Sequence, residues 1–351
     1  MIARIAVVLP CYCVRDRILG VLARIGSEVS LIYVVDDACP EGTGDHVERT
    51  STDPRVTVLR HADNKGVGGA VVTGYRRAVA DGADIVVKID GDGQMNPALV
   101  PRFAAPIADG RADYAKGNRF YRLAGLARMP VWRIVGNAAL SFMIKLSSGY
   151  WTIFDPTNGY TAISGRVIEE LELDKVSSGY FFESDMLFRL GILRAKVVDI
   201  PMEAAYDGEA SGLKIARVIG PFLIGYTRNG FKRIFYNYFL RDFSAASLQF
   251  VFGVASLLFG VFVGARAWAI SLATGVPSTT GTVMLSALPV ILGIQLLLAF
   301  ISYDVASSPA SAIHPLLGEP ELDLPQAPAE EPEGREAGPG PTGVVASGRS
   351  G

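Results

Sequence analysis

The residues with the clearest capacity for chemistry are Asp90 and Asp92, in the run Lys88-Ile89-Asp90-Gly91-Asp92-Gly93-Gln94. Two carboxylates one residue apart suit a hard divalent cation such as Mg2+ or Mn2+, which takes oxygen ligands and often shares them with substrate phosphates. The interleaved glycines let the backbone turn and leave room for a ligand. Asp-Gly is also ordinary turn chemistry, so a solvated turn is the competing reading. Just upstream, Ala83-Asp84-Ile85-Val86-Val87 is an apolar, β-branched run that predicts a strand with both carboxylates at its carboxyl end.

The elements that must position these groups alternate. Strands are expected at 4–9, 31–35, 56–59 and 84–89, with helices at 14–26, near 43–50, and from the Asn64–Gly69 loop to about Ala80. Such alternation predicts a parallel, doubly wound α/β sheet, whose ligands sit outside the carboxyl ends of the strands. Pro10, Asp36-Asp37, the Asn64–Gly69 loop and Asp90/Asp92 all fall at or just after such ends. The Gly66-Val67-Gly68-Gly69-Ala70 loop is not a dinucleotide fingerprint, because Val71 stands where the last glycine belongs, and the chain has no P-loop. It offers an anion the free amides and dipole of a helix start, beside Lys65; a plain turn before a helix would use the same residues. Further on come Gly117-Asn118-Arg119, a helix at 131–147 carrying Arg133, and a loop at 154–163 that enters a strand. A helix around 182–193 carries Glu183 and Asp185, and the last strand is expected at 195–200.

The 351 residues carry a formal net charge of -2, which gives no basic bias towards nucleic acid. Mean hydropathy is +0.30, and the excess is concentrated late in the chain. Cys11, Cys13 and Cys39 are odd in number and clustered, as expected of free cytosolic thiols, and the three histidines fall in no metal-ligand spacing. Ile5–Leu9 is too short for a signal peptide and reads as a strand. Residues 213–243 place apolar and aromatic side chains at helical spacing, with Arg217, Arg228, Lys232, Arg233 and Arg241 between them. That pattern predicts helices lying in a membrane interface, with packing on the catalytic domain as the rival. No charge occurs from Phe243 to Ala265 or from Ala267 to Tyr303, which predicts spans near 245–265 and 281–302. Basic residues crowd before the first span, so the N-terminal domain and, with two spans, both termini are expected in the cytoplasm. From 305 onward the composition predicts a disordered tail.

The order Val-Val-Leu-Pro-Cys-Tyr, Val-Val-Asp-Asp, Asn-Lys-Gly-Val-Gly-Gly-Ala and Asp-Gly-Asp-Gly-Gln resembles glycosyltransferase family 2 with a GT-A fold. Gly117-Asn118-Arg119, Trp132-Arg133, Asn137 and the two C-terminal spans resemble its polyprenyl-phosphate branch, the dolichol-phosphate mannosyltransferase and bactoprenol glucosyltransferase type. The resemblance implies a GT-A catalytic domain at 1–212, interfacial helices at 213–243, two membrane helices at 244–304 and a tail at 305–351. It implies Pro10, Tyr12, Asp36 and Asp37 around the nucleotide-sugar donor, where Lys65 and Gly66 of the helix start are also expected, and Asp90, Asp92 and Gln94 at a Mg2+ or Mn2+ ion and the diphosphate. Arg119, Arg133 and Asn137 are then expected at the phosphate of a polyprenyl acceptor. The sequence departs from the family pattern at Cys13-Val14, at Ala38-Cys39 and at 206–214, where Lys214 stands as a candidate for a missing arginine.

The activity so implied is inverting, metal-dependent transfer of a sugar to a polyprenyl phosphate at the cytoplasmic face of the inner membrane, with a homo-oligomer left open. Two rivals stand beside it. Glu183 or Asp185 could serve as general base towards a hydroxyl acceptor, or the chain could be a non-catalytic membrane scaffold.

Overall fold

The computed structural model describes residues 3–121, 131–155, 157–202, 215–317 and 351, and leaves out the side chains at 131–135, 137 and 215–219. Lys214, the side chains of Arg133 and Asn137, and most of the expected tail therefore lie outside the described residues. Strands β1 (Ile5–Cys11), β2 (Val29–Asp36), β3 (Val56–Arg60) and β4 (Ile85–Lys88) form a parallel half-sheet in the order β3-β2-β1-β4. Beyond β4 the order continues β6 (Thr161–Ser164), β5 (Tyr114–Asn118), β7 (Val197–Pro201). β5 and β7 pair in parallel, whereas β6 is antiparallel to both its neighbours. This is the mostly parallel sheet expected of a GT-A fold, with one reversed strand that the sequence pattern did not announce.

Alternate residues of β1 serve opposite cores, Ala6 and Val8 on one face, Val7 and Leu9 on the other. A strand buried on both faces must be apolar throughout, which is why these segments read as continuous hydrophobic runs. Helices α1 (Arg15–Leu22), α2 (Thr43–Thr50), α3 (Gly66–Ala80) and α4 (Val100–Ala108) link the first half. The second half carries α5 (Val131–Ser148), α6 (Gly165–Glu170) and α7 (Phe182–Leu193). The strand order reverses between β1 and β4, so the crevice for a ligand lies at their carboxyl ends.

Helix α8 (Ile215–Phe235) continues into a π-helical stretch at Tyr236–Arg241. Its Tyr226, Asn229 and Arg233 are buried, while Leu223, Ile224, Phe231 and Phe235 are exposed. The rival reading, packing on the catalytic domain, thus holds for one face, and the other leaves apolar side chains exposed. Helices α9 (Ala245–Thr274) and α10 (Thr280–Ala306) have 30 and 27 residues, longer than a bilayer core requires. Only 11% of each apolar window is buried, so neither is the core helix of a globular protein. They pack as an antiparallel hairpin whose backbones touch at Gly293, where a Cβ would stand 2.7 Å from the Leu257 nitrogen.

The hairpin is fastened at its far end. Asp304 of α10, buried, accepts hydrogen bonds from Arg233 Nη1 (2.7 Å) and Nη2 (2.9 Å), Tyr238 Oη (2.5 Å) and Trp151 Nε1 (2.8 Å). Residues 309–317 then return to the catalytic domain, a correction to the tail expected from 305. The buried carboxylate of Asp113 receives the backbone amides of Ile313 and His314 and the His314 ring. Arg166 holds the Leu317 carbonyl at 2.7 Å, and Ile313 and Leu317 pack on the core. Their non-polar side chains supply the burial that a Pro- and Glu-rich composition obscures.

Candidate active site

Asp90 and Asp92 follow β4 at its carboxyl end, as the strand-then-glycine pattern requires. Asp90 Oδ1 lies 2.8 Å from Lys88 Nζ, and that same nitrogen lies 3.2 Å from Glu183 Oε1 on α7. The Lys88 side chain is 1% exposed. Burial works against its ammonium, but Asp90 and Glu183 outweigh it and hold it charged, above its ordinary range. The other oxygen of Asp90 stands where a Cβ on Gly159 would come within 2.6 Å, so the absence of a side chain at 159 makes its room. Burial raises the Asp92 carboxyl above its usual range; the Gln94 amide, 3.0 Å away, offsets part of this and the charge of Asp90 adds to it. Two acids that crowd each other in this way suit a bound cation, which would relieve the repulsion.

The next group is reached through the loop before β6. Lys88 of β4 and Lys116 of β5 both face Thr161 of β6 in register. Lys88 and Lys116 thus stand two strand spacings apart, about 10 Å, and Asp90 and Arg119 lie just beyond the carboxyl ends of their strands. Arg119 Nε and Nη2 each lie 2.8 Å from the carboxylate of Asp155, which is buried and held below its usual pKa: burial opposes this, but the Arg119 hydrogen bonds and the Lys116 charge prevail. Asn158 Nδ2 donates to the same carboxylate at 3.1 Å, and its neighbour Gly159 abuts Asp90, so one loop joins the two groups.

The sequence pattern of glycosyl transferase family 2 matches residues 6–172. An undecaprenyl-phosphate mannosyltransferase of Micrococcus luteus is 30% identical over 231 residues, 65% of this chain and 94% of that one. The chain belongs to glycosyltransferase family 2. A UDP-N-acetylglucosamine--dolichyl-phosphate N-acetylglucosaminyltransferase of Methanococcus voltae is 32% identical over 152 residues, 43% of this chain and 60% of that one. The polyprenol monophosphomannose synthase of Mycolicibacterium smegmatis is 29% identical over 204 residues, 57% of this chain and 76% of that one.

In this family 2 glycosyltransferase the other expected donor residues occupy the same strand edge, but several are already engaged. Pro10 lies within β1 and is half-buried, and Tyr12, just beyond it, is exposed. Asp36 is bonded to the Cys39 amide at 2.7 Å and the Gly44 amide at 2.5 Å, and so fixes the start of α2. Asp37 accepts from the amides of Lys65 and Gly66, each at 2.8 Å, and lies 2.6 Å from His61 Nδ1. The Gly68 and Gly69 amides are directed at the Ser178 carbonyl. The amides at the start of α3 offered to an anion are thus spent within the chain, a correction to that reading; the exposed Lys65 side chain is what remains. Gln94 is exposed beside Asp92.

Of the two candidate bases, Asp185 is fully committed: it accepts from the Ser177 amide, Arg189 Nε and Asn229 Nδ2, and ties α7 to α8. Glu183, sharing Lys88 with Asp90, is the one that reaches the site.

Sequence reasoning missed the two lysines. Lys88 and Lys116 each sit among apolar residues of a strand buried on both faces, and that placement was the available signal. Burial drives the Lys116 ammonium down to about 8 despite the nearby charges of Asp155 and Asp199. Asp199 is pushed up to about 6, first by burial, although Phe154 N–H, Lys116 and Asn118 favour its ionised form. One of its oxygens, Oδ1, is buried without a hydrogen-bond partner. Between its ordinary value of 3.8 and about 6 the folded chain holds a proton there that the unfolded chain has released, so stability falls as pH rises through that window. Asp199→Asn cannot ionise. Thermal unfolding of the two proteins should agree best near pH 4 and diverge by up to about 3 kcal/mol in favour of the variant above about pH 6. A difference independent of pH would show that ionisation of Asp199 carries no cost.

Proposed function

We propose that this glycosyltransferase moves a sugar from a nucleotide diphosphate to a polyprenyl phosphate at the cytoplasmic face of a membrane. The observation that carries the reading is that the acidic pair and Arg119 follow the carboxyl ends of β4 and β5, with only β6 between those strands and the Asp155–Gly159 loop touching both groups. Strand ends set about 10 Å apart leave room for a hexose with a phosphate on either side. The names of the relatives, which act on undecaprenyl, dolichyl or polyprenol phosphates with different sugars, support the acceptor class and leave the sugar open.

Asp90 and Asp92 would hold Mg2+ or Mn2+, with Gln94 alongside, and the ion when bound would neutralise charge building on the leaving diphosphate. The chain's own groups do the rest. Lys88 fixes the Asp90 and Glu183 carboxylates, while Tyr12 and Lys65 flank the donor edge. Arg119, held by Asp155, is assigned to the acceptor phosphate together with Arg133, Asn137 and Lys214. A phosphate oxygen of the lipid attacks the anomeric carbon as the bond to the nucleotide diphosphate breaks, which inverts that centre. The attacking oxygen is already anionic, so no side chain needs to remove a proton.

The proposed layout keeps a catalytic part at 1–212, interfacial helices at 213–243 and spans at 244–304. The docking of residues 309–317 on the catalytic domain supports a two-span hairpin with both ends on one side. A reporter fused at the C-terminus should report the cytoplasm; an external signal rejects this topology.

Transfer of labelled sugar from a set of nucleotide sugars, with Mg2+ or Mn2+, to polyprenyl phosphate tests the activity. Product on the lipid phosphate is expected, and product on hydroxyl acceptors alone overturns the reading. Glu183→Gln separates the mechanisms. With a phosphate acceptor it should cost less than about tenfold, whereas loss of a general base would cost 10²-fold or more, roughly.

A further inference from the structure

We infer that Cys13, Cys39 and Glu41 form a binding site for one soft divalent cation of the Zn2+ class, at the rim of the donor edge. The two sulfurs and a carboxylate oxygen of Glu41 all lie within 4.8 Å of one another. A tetrahedral Zn2+ with bonds of about 2.0–2.3 Å keeps its ligand atoms about 3.5 Å apart. The contraction needed is therefore about 1 Å, and the exposed side chains of Cys13 and Glu41 can supply it by rotation.

Cys39 is the anchored member. Asp36 pins its amide at 2.7 Å, the Cys13 amide points at its sulfur at 3.2 Å, and Thr43 Oγ1 lies 3.1 Å from that sulfur. Hydrogen bonds of this kind orient and stabilise a metal-bound thiolate. Binding would release the thiol protons to water.

Ligand chemistry separates this place from Asp90 and Asp92. Thiolates select a soft ion, whereas a carboxylate pair selects Mg2+ or Mn2+. Cys13 stands on the loop between β1 and α1, and Cys39 and Glu41 on the loop between β2 and α2, so a bound ion would tie these loops together beside Tyr12. Exposure of Cys13 gives the ion its path in, and water completes the coordination.

The test uses the full chain in detergent, kept reduced, with Co2+ as a spectroscopic stand-in and Mg2+ in excess. One Co2+ per chain is expected, with tetrahedral bands and a sulfur-to-cobalt charge-transfer band, and with displacement by Zn2+. Cys13→Ser and Cys39→Ser should each weaken the charge-transfer band. Glu41→Gln, at an exposed position that leaves folding intact, should lower affinity at least about tenfold while keeping the sulfur band. A spectrum without the thiolate band overturns the assignment, as does a band that survives in the Cys13→Ser/Cys39→Ser double variant. Because the readout is binding, a negative result leaves the proposed sugar transfer untouched, and inactivity leaves the metal site untouched.

Discussion

Asp90→Asn and Asp92→Asn should each reduce sugar transfer at least about 100-fold, while leaving the protein folded. Both changes keep size and shape, so what they remove is charge. Asp90 faces Lys88 on one side and the space left by Gly159 on the other. Neutralising it leaves the buried ammonium with the Glu183 carboxylate, and takes one of the two carboxylates from the proposed cation. Asp92 has no lysine partner at hydrogen-bonding distance among the described contacts, so its loss should act mainly on the metal. Raising Mg2+ or Mn2+ should therefore rescue Asp92→Asn more than Asp90→Asn. Initial rates across a metal titration give the answer. Near-wild-type rates in both variants would remove the metal from the mechanism.

Asp304→Ala should destabilise the fold by about 3–5 kcal/mol, the usual consequence of stripping one member from a buried ion pair. The carboxylate is the common acceptor for Arg233, Tyr238 and Trp151, which come from α8, the π-helical stretch and the loop after α5. Without it, Arg233 stays buried at 3% side-chain exposure with only the Leu146 carbonyl to accept from it among the described contacts. Pairing the change with Arg233→Met should recover part of the loss, because no charge is then left in the interior. Thermal unfolding in detergent measures this, and limited proteolysis between α8 and α9 reports whether the membrane hairpin has come loose. A loss below about 1 kcal/mol in the single variant would show that this cluster does not fasten the hairpin.

What the sequence by itself determined was whatever depends on neighbours along the chain. Burial of β1, β2 and β4 on both faces demanded unbroken apolar runs, and those runs located the strands. Asp90 and Asp92 were legible because glycines must follow a strand that ends in a turn, and α9 and α10 because a bilayer requires long uncharged segments. The tertiary structure alone decided matters that rest on distant partners. Insertion of β6 between β4 and β5 sets the strand ends that carry Asp90 and Arg119 on either side of it. Lys88 meets Glu183 across 95 residues, Arg233 meets Asp304 across 71, and Asp113 holds His314 across 201. Spacing did not distinguish Glu183 from Asp185, or show that Asp37 and Ser178 had taken the amides of α3. A polar group spends its hydrogen bonds on whatever the fold places beside it, and no local pattern records that neighbour.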